Sequence, residues 1–202
     1  FAPLERGRVA IVTNGGGAGV LAVDQLIDEG AELATLAPAT IARMDAALPA
    51  TWSRSNPVDI IGDAPPARYR AAIEAVADDA GVDAILVMNC PTAIADPSAA
   101  AQGVVDVTRN GRANGKPVLT CWLGKLAAEP ARSKLSGAGL GTFNTPAQAA
   151  EAVALLTRWS ELRRRLERVP PSRPDLPVDT AAARAIMAEA ARDGRSVLTE
   201  DE

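Results

Sequence analysis

Short apolar runs that alternate with helix-patterned stretches constrain this chain more than any other feature. The runs are Arg8–Thr13 (RVAIVT), Glu32–Leu36, Val58–Ile61, Asp83–Asn89 (DAILVMN), Lys116–Cys121 (KPVLTC) and Leu140–Phe143. The longest of them are β-branched and do not alternate polar with apolar residues, as expected of strands buried on both faces. Between them Gly17–Glu29, Pro38–Leu48, Pro66–Asp79, Pro97–Ala113, Ala127–Leu135 and Thr145–Arg168 read as helices. In the first helix Val20, Val23 and Ile27 share a face, and Gly30 suits the position just past a helix end. Asn56-Pro57 opens the third run, where a missing N–H costs least. Strands alternating with helices across short loops imply right-handed crossovers and a parallel sheet covered on both faces. The predicted fold is therefore α/β: a three-layer α/β/α, flavodoxin-like doubly wound sheet of strand order 2-1-3-4-5, with a Rossmann order second.

Residues 1–168 form one expected domain. Val169–Val178 (VPPSRPDLPV) holds four prolines and reads as a semi-rigid linker. Residues 179–202 form a connector, with a short helix over Asp179–Arg192 that carries Ala183, Ile186, Met187 and Ala190 on one side. That helix is expected to pack on the domain or on a neighbour. The chain opens at Phe1 and closes on Thr199, Glu200, Asp201 and Glu202, a capping-box pattern that announces another helix. Both ends predict a piece of a longer protein. A formal charge of −4 gives no electrostatic reason to bind nucleic acid or an anionic membrane. No apolar run approaches the roughly 20 residues of a membrane span, and no signal pattern opens the chain, so a cytoplasmic protein is expected. Histidine is absent. That excludes a histidine base, ligand or phosphohistidine within these residues.

In open α/β sheets ligands sit beyond the carboxyl ends of the strands, near the point where strand order reverses. That rule selects Asn14, Gly15, Gly16, Gly17, Ala18 and Gly19, then Asp59–Asp63, Asn89–Asp96 and Trp122–Lys125. The glycine loop lies between the first strand and the first helix, where free N–H groups and the helix dipole favour an anion. Glycine there permits positive φ and close approach of a ligand. The loop is no Walker loop, since no Gly-Lys-Ser/Thr follows. It also fails the dinucleotide fingerprint, because Val20 replaces the last glycine and Leu36-Ala37-Pro38 replaces a ribose-binding acid. Asn14–Gly19 is thus a candidate phosphate site; the competing reading is a tight turn that lets the helix pack closely. Asp59, Gly62 and Asn89 are secondary pocket candidates, whereas Asp63 suits a cap for the helix opening near Pro65-Pro66. Cys90 and Cys121 fit neither a metal site nor a disulfide framework, and without a histidine they read as small apolar residues. Lys125 is a possible phosphate counter-charge or a solvated surface lysine. Arg163, Arg164, Arg165 and Arg168 complement the dipole at the end of the last helix. No catalytic side chain and no metal ligand set stand out.

Three segments carry a family resemblance: RVAIVTNGGGAGVLAVDQLIDEG, SNPVDIIGDAPPARYRAAIEAV and VDAILVMNCPTAIADP. They resemble a flavodoxin-like ligase module of the NDP-forming (ADP-forming) acyl-CoA synthetases, relatives of succinyl-CoA synthetase, over residues 7 to 160. TAAARAIMAEAARDGRSVLTEDE resembles the connector into an ATP-grasp domain of the same proteins. The resemblance implies acid–thiol ligase chemistry through a phosphohistidine on the preceding ligase module. This second module would supply a helix N-terminus, here Asn14–Gly19, that helps hold the phosphorylated residue. CoA, ATP or ADP and Mg are implied for the full-length protein, with none bound tightly here. The implied partners are the CoA-binding, histidine-bearing and ATP-grasp domains, and a homo-oligomer is possible. The alternatives are a sensing module of a protein acetyltransferase, for acyl-CoA or a nucleotide, and a non-catalytic interaction domain.

Overall fold

A computed structural model describes residue 4 and residues 6–168 and 179–200. The expected linker over 169–178 lies outside the described residues, as do Asp201 and Glu202 of the capping-box pattern. The chain divides into two units, Phe1–Glu167 and Arg168–Glu202. The second contains helix α7 (Thr180–Arg192), capped by the Asp179 carboxylate, which accepts from the N–H groups of Ala181 and Ala182.

The first unit runs β1 (Arg8–Thr13), α1 (Gly16–Asp28), β2 (Glu32–Leu33), α2 (Pro38–Ala47), β3 (Val58–Asp59), α3 (Pro66–Asp78), β4 (Ala84–Asn89), α4 (Pro97–Arg109), β5 (Val118–Trp122), α5 (Glu129–Gly137), β6 (Gly141–Phe143) and α6 (Pro146–Glu167). Every strand pair is parallel, and the sheet is ordered β2-β1-β4-β5-β6, with β3 also on β1. Without β3 this is the flavodoxin-like order 2-1-3-4-5. Proline opens α2, α3, α4 and α6, where its missing N–H would have had no helical partner.

β2 and β3 are shorter than their apolar runs, because both use one edge of β1. β2 pairs with Arg8 and Val9, and β3 with Val12 and Thr13. The gap between them is filled by a side chain. Asn56 Oδ1 accepts from Ile11 N at 2.9 Å, while its Nδ2 donates to Val9 O at 2.8 Å and to Ala34 O at 2.9 Å. One amide thus completes the ladder that two short strands leave open. The third strand ends early because Ile61 takes a left-handed φ of 69° and turns the chain away.

Side chains alternate between two apolar layers. Val9, Ile11, Leu86, Met88, Leu119 and Cys121 face Ala22 and Leu26 of α1 and Ala149, Ala150 and Val153 of α6. Ala10, Val12, Ile85, Val87 and Val118 face the layer that holds α2 to α5. Each buried Val, Leu or Ile contributes about 1.5–3 kcal/mol relative to exposure. The inward face of α1 is not the expected one. Gly19, Ala22 and Leu26 are buried and Val23 is half-buried against the same layer, whereas Val20 and Ile27 are largely exposed. The small residues Gly19 and Ala22 allow the helix to lie close to the sheet, leaving no room for a branched stripe. Gly30 does end α1, with φ at 75°.

Candidate functional site

Strand order reverses between β1 and β4, so the crevice of interest lies beyond Thr13 and Asn89. Asn14 joins the two strand ends. Its Oδ1 accepts from Cys90 N at 2.7 Å and its Nδ2 donates to Cys90 O at 3.0 Å. The side chain is buried and fully engaged, so Asn14 positions the loop and does not present its amide outward.

Gly15 caps α1 in an extended conformation, and its N–H donates to Thr13 Oγ1 at 3.1 Å. Its carbonyl accepts from Ala18 N and Gly19 N. The N–H groups of Gly16 and Gly17 find no acceptor among the described residues. These are the orphan donors that every helix start leaves, placed at the reversal point. None of the four loop glycines has positive φ, which corrects that part of the sequence reasoning. Three are needed for close approach instead. A Cβ on Gly15 would stand 2.5 Å from Cys90 Sγ, on Gly16 2.8 Å from Asp59 Oδ2, and on Gly19 3.1 Å from Pro57 and Thr13 carbons. A Cβ on Gly17 meets nothing within 4 Å. Gly17 therefore faces the open side of the loop.

Asp59 ends β3 beside the same helix start, and its Oδ1 accepts from Ile61 N at 2.9 Å. That hydrogen bond helps hold Ile61 in a conformation that is costly for a β-branched residue. Thr92 Oγ1 donates to Gly62 O at 2.9 Å and so ties the segment after β3 to the segment after β4. Asp63 is no cap. It pairs with Arg68, and the residue at the α3 cap position is Pro65. Arg68 holds the Asp63 carboxyl below its ordinary pKa.

Asn89 lies inward of the loops. It is 2 % exposed, its Nδ2 donates to Tyr69 Oη at 2.8 Å, and its Oδ1 has no partner among the described residues. Burial pushes the Tyr69 hydroxyl far up, so it stays protonated. Burial also raises the Cys90 thiol, against an opposing hydrogen bond with Thr13 and with help from the Asp59 charge. It drives Cys121 up to about 12. Both are neutral thiols at neutral pH and poor nucleophiles. Lys125 is exposed, and its carbonyl, with those of Trp122 and Gly124, is held by Arg132. Among the described residues no cluster of three His, Cys, Asp or Glu side chains could hold a metal ion, and no helix is long and apolar enough to cross a membrane.

In the sequence Asn56 had no role beyond opening the third strand, and nothing there showed that the Asn14 side chain joins two strand ends. The available signal was an asparagine at a strand end and another before a proline, both beside an edge that a two-residue strand cannot complete.

Residues 9–170 match the Ligase-CoA domain family. The chain is 34 % identical over 156 residues to acetate–CoA ligase (ADP-forming) I of Archaeoglobus fulgidus, covering 77 % of this chain and 22 % of that protein. It is 36 % identical over 163 residues to the alpha subunit of acetate–CoA ligase (ADP-forming) II of Pyrococcus furiosus, covering 79 % and 35 %. The fold matches dinucleotide-forming acetyl-coenzyme A synthetase 1 of Candidatus Korarchaeum cryptofilum, solved in complex with phosphate and ADP. That match has a TM-score of 0.75 at 31 % identity and covers 83 % of this chain and 37 % of that one. The chain thus spans only about a fifth to about a third of the curated relatives it matches. Fold and sequence agree: this chain belongs to the Ligase-CoA domain family, within the ADP-forming, succinyl-CoA synthetase-like acyl-CoA ligase superfamily.

Proposed function

We propose that residues 1–168 are the second ligase module of a larger ADP-forming acyl-CoA synthetase, and that residues 169–202 are its linker and connector. The parent would interconvert acyl-CoA, ADP and phosphate with a carboxylic acid, CoA and ATP. CoA, nucleotide and Mg would be handled by other modules, as would the histidine that this chain lacks. The observation that carries the reading is the pair of N–H groups on Gly16 and Gly17, which have no acceptor among the described residues, with open space beside Gly17. The start of α1 carries about half a positive charge. The role of this chain is to present that positive end, already oriented, to a phosphoryl group where charge must be stabilised. Asn14 fixes the loop, and Asp59 sets a negative limit at its rim, which favours a group that arrives partly neutralised.

Titrating inorganic phosphate into the isotopically labelled chain, with amide shifts as readout, tests the site directly. Shifts are expected at Gly16 and Gly17. Gly17→Val should weaken binding severalfold with the fold intact, because its side chain grows into open space on the approach path. Asp59→Asn should strengthen it by removing a nearby negative charge. Unchanged affinity in both variants would refute the site. Reconstitution from separate CoA-binding, histidine-bearing and ATP-grasp domains tests the wider reading. Label transfer from ATP to the histidine should fall when this module is omitted or carries Gly17→Val.

A further inference from the structure

Acceptors line the glycine loop as well as donors. Asp59 closes β3 with its carboxylate against the start of α1, so that a Cβ on Gly16 would stand 2.8 Å from Oδ2. The residue is held at both ends. Its N–H donates to Ser53 Oγ at 2.9 Å, and its Oδ1 accepts from Ile61 N at 2.9 Å. Among the described residues Oδ2 accepts no hydrogen bond and no cation pairs with the carboxylate. Capping does not explain it, because α1 starts at Gly15 without a side-chain cap and no N–H of the helix donates to Asp59. A second acceptor lies inward. Asn89 Oδ1 has no donor among the described residues, and Tyr69, to which Asn89 donates, lies within the field of the Asp59 charge. At this strand edge, then, acceptors without donors accompany the N–H groups of Gly16 and Gly17, which are donors without acceptors among the described residues. A ligand that suits such a place both accepts and donates.

We propose, on the phosphoryl-site reading of this loop, that Asp59 selects the oxyanion it takes: phosphate that carries a proton, and not sulfate. At neutral pH inorganic phosphate keeps at least one P–OH group, whereas sulfate has no proton to give. Phosphate accepts from the loop N–H groups and donates its O–H to Asp59 Oδ2, a charge-assisted hydrogen bond. Sulfate satisfies the same N–H groups but sets a bare anionic oxygen against Oδ2, with no cation from the described residues between them. The carboxylate cannot move aside without breaking its bond to Ile61 N, which helps hold that residue at a left-handed φ of 69°. Gly16 makes the selection possible, since a side chain there would push the carboxylate off the helix start. A helix end alone favours any anion. The acceptor beside it tells the two ions apart.

The whole chain, isotopically labelled, is titrated at pH 7 and constant ionic strength with sodium phosphate and separately with sodium sulfate, and the Gly16 and Gly17 amide shifts are followed. Phosphate is expected to bind at least about tenfold more tightly, the factor that one charge-assisted hydrogen bond supplies. Asp59→Asn keeps the shape and the acceptor for Ile61 N but removes the charge. Sulfate should then gain about tenfold, while phosphate gains less, because it gives up a charge-assisted bond as the repulsion falls. Gly17→Val should weaken both ions in proportion and leave their ratio unchanged, which separates access from selection. Equal affinities in the parent chain, or a ratio that Asp59→Asn leaves unchanged, overturn the selection by Asp59 and leave the phosphoryl site standing. Absence of shifts at Gly16 and Gly17 with both ions fails the site itself and the selection with it.

Discussion

Removing the Asn56 amide tests whether a side chain completes the sheet. In Asn56→Ala, Ile11 N loses its acceptor and Ala34 O its donor. Val9 O loses one donor but keeps Ala34 N at 2.8 Å. Two backbone groups are therefore stranded, each at about 1–3 kcal/mol. The bonds are only part-buried, and water entering the gap recovers some of this, which places the expected loss at about 2–4 kcal/mol. For a domain of this size each kcal/mol lowers Tm by about 2–4 °C. Asn56→Asp has nearly the same shape and still accepts from Ile11 N. It also points an anionic oxygen at two carbonyls, so at neutral pH it should be no more stable than the alanine variant. Urea unfolding followed by circular dichroism measures both, and an unchanged m-value confirms that the same surface unfolds. An alanine variant within about 0.5 kcal/mol of the parent, the ordinary range for a surface substitution, would refute the reasoning. An aspartate variant as stable as asparagine would do the same.

Three further outcomes follow from the packing and charge. A Cβ on Gly103 would stand 2.8 Å from Pro66 O and 3.1 Å from Pro66 Cα, backbone that cannot rotate away. Gly103→Ala should therefore cost about 1–2 kcal/mol in chemical denaturation after its helix-propensity gain, and a stabilised variant would show that α3 and α4 can part freely. Burial of Asp79 opposes its ionisation, but hydrogen bonds from Ala37 N, Thr40 Oγ1 and Gly81 N, with the Lys116 charge, hold its carboxyl below the ordinary value. A depressed carboxyl stabilises the fold above its unfolded pKa of about 3.9. That stability is lost as pH falls through the lower folded value, so urea midpoints should drop on the acid side, and less so in Asp79→Asn. Deleting residues 170–202 should leave a cooperatively melting core; broad, non-cooperative melting would move the domain boundary.

The fold was legible because period and length rarely mislead when both faces of a strand are buried. RVAIVT and AILVMN admit no other use in a chain of this length. What misled was local. Val20 and Ile27 make a respectable helical stripe, yet α1 turns its smallest residues inward, because distance to the sheet and not hydrophobicity decides that face. The runs Glu32–Leu36 and Val58–Ile61 satisfy strand composition, but two strands cannot occupy one edge of β1 at full length. Asp63 has the residue type of a cap, but a nearby arginine claims its carboxylate. Each miss depends on a neighbour distant in sequence, which no local pattern contains.

The same lesson reaches the glycine loop and changes what its glycines mean. Sequence alone suggests conformational freedom, but none of the four uses left-handed φ. Gly15 yields space to Cys90, Gly16 to Asp59, and Gly19 to Pro57 and Thr13. These neighbours come from the ends of three different strands, 38 to 75 residues away for all but Thr13. A loop pinned in this way cannot relax its N–H groups toward internal acceptors. Asn14 already satisfies Cys90, and Thr13 already satisfies Gly15. Among the described residues Gly16 and Gly17 keep N–H groups with no acceptor, and of the two Gly17 has open space beside its Cα. Preorganisation here is therefore a property of crowding: close contact on the inner side of the loop fixes what faces outward, so a charge arriving there meets donors that need no rearrangement.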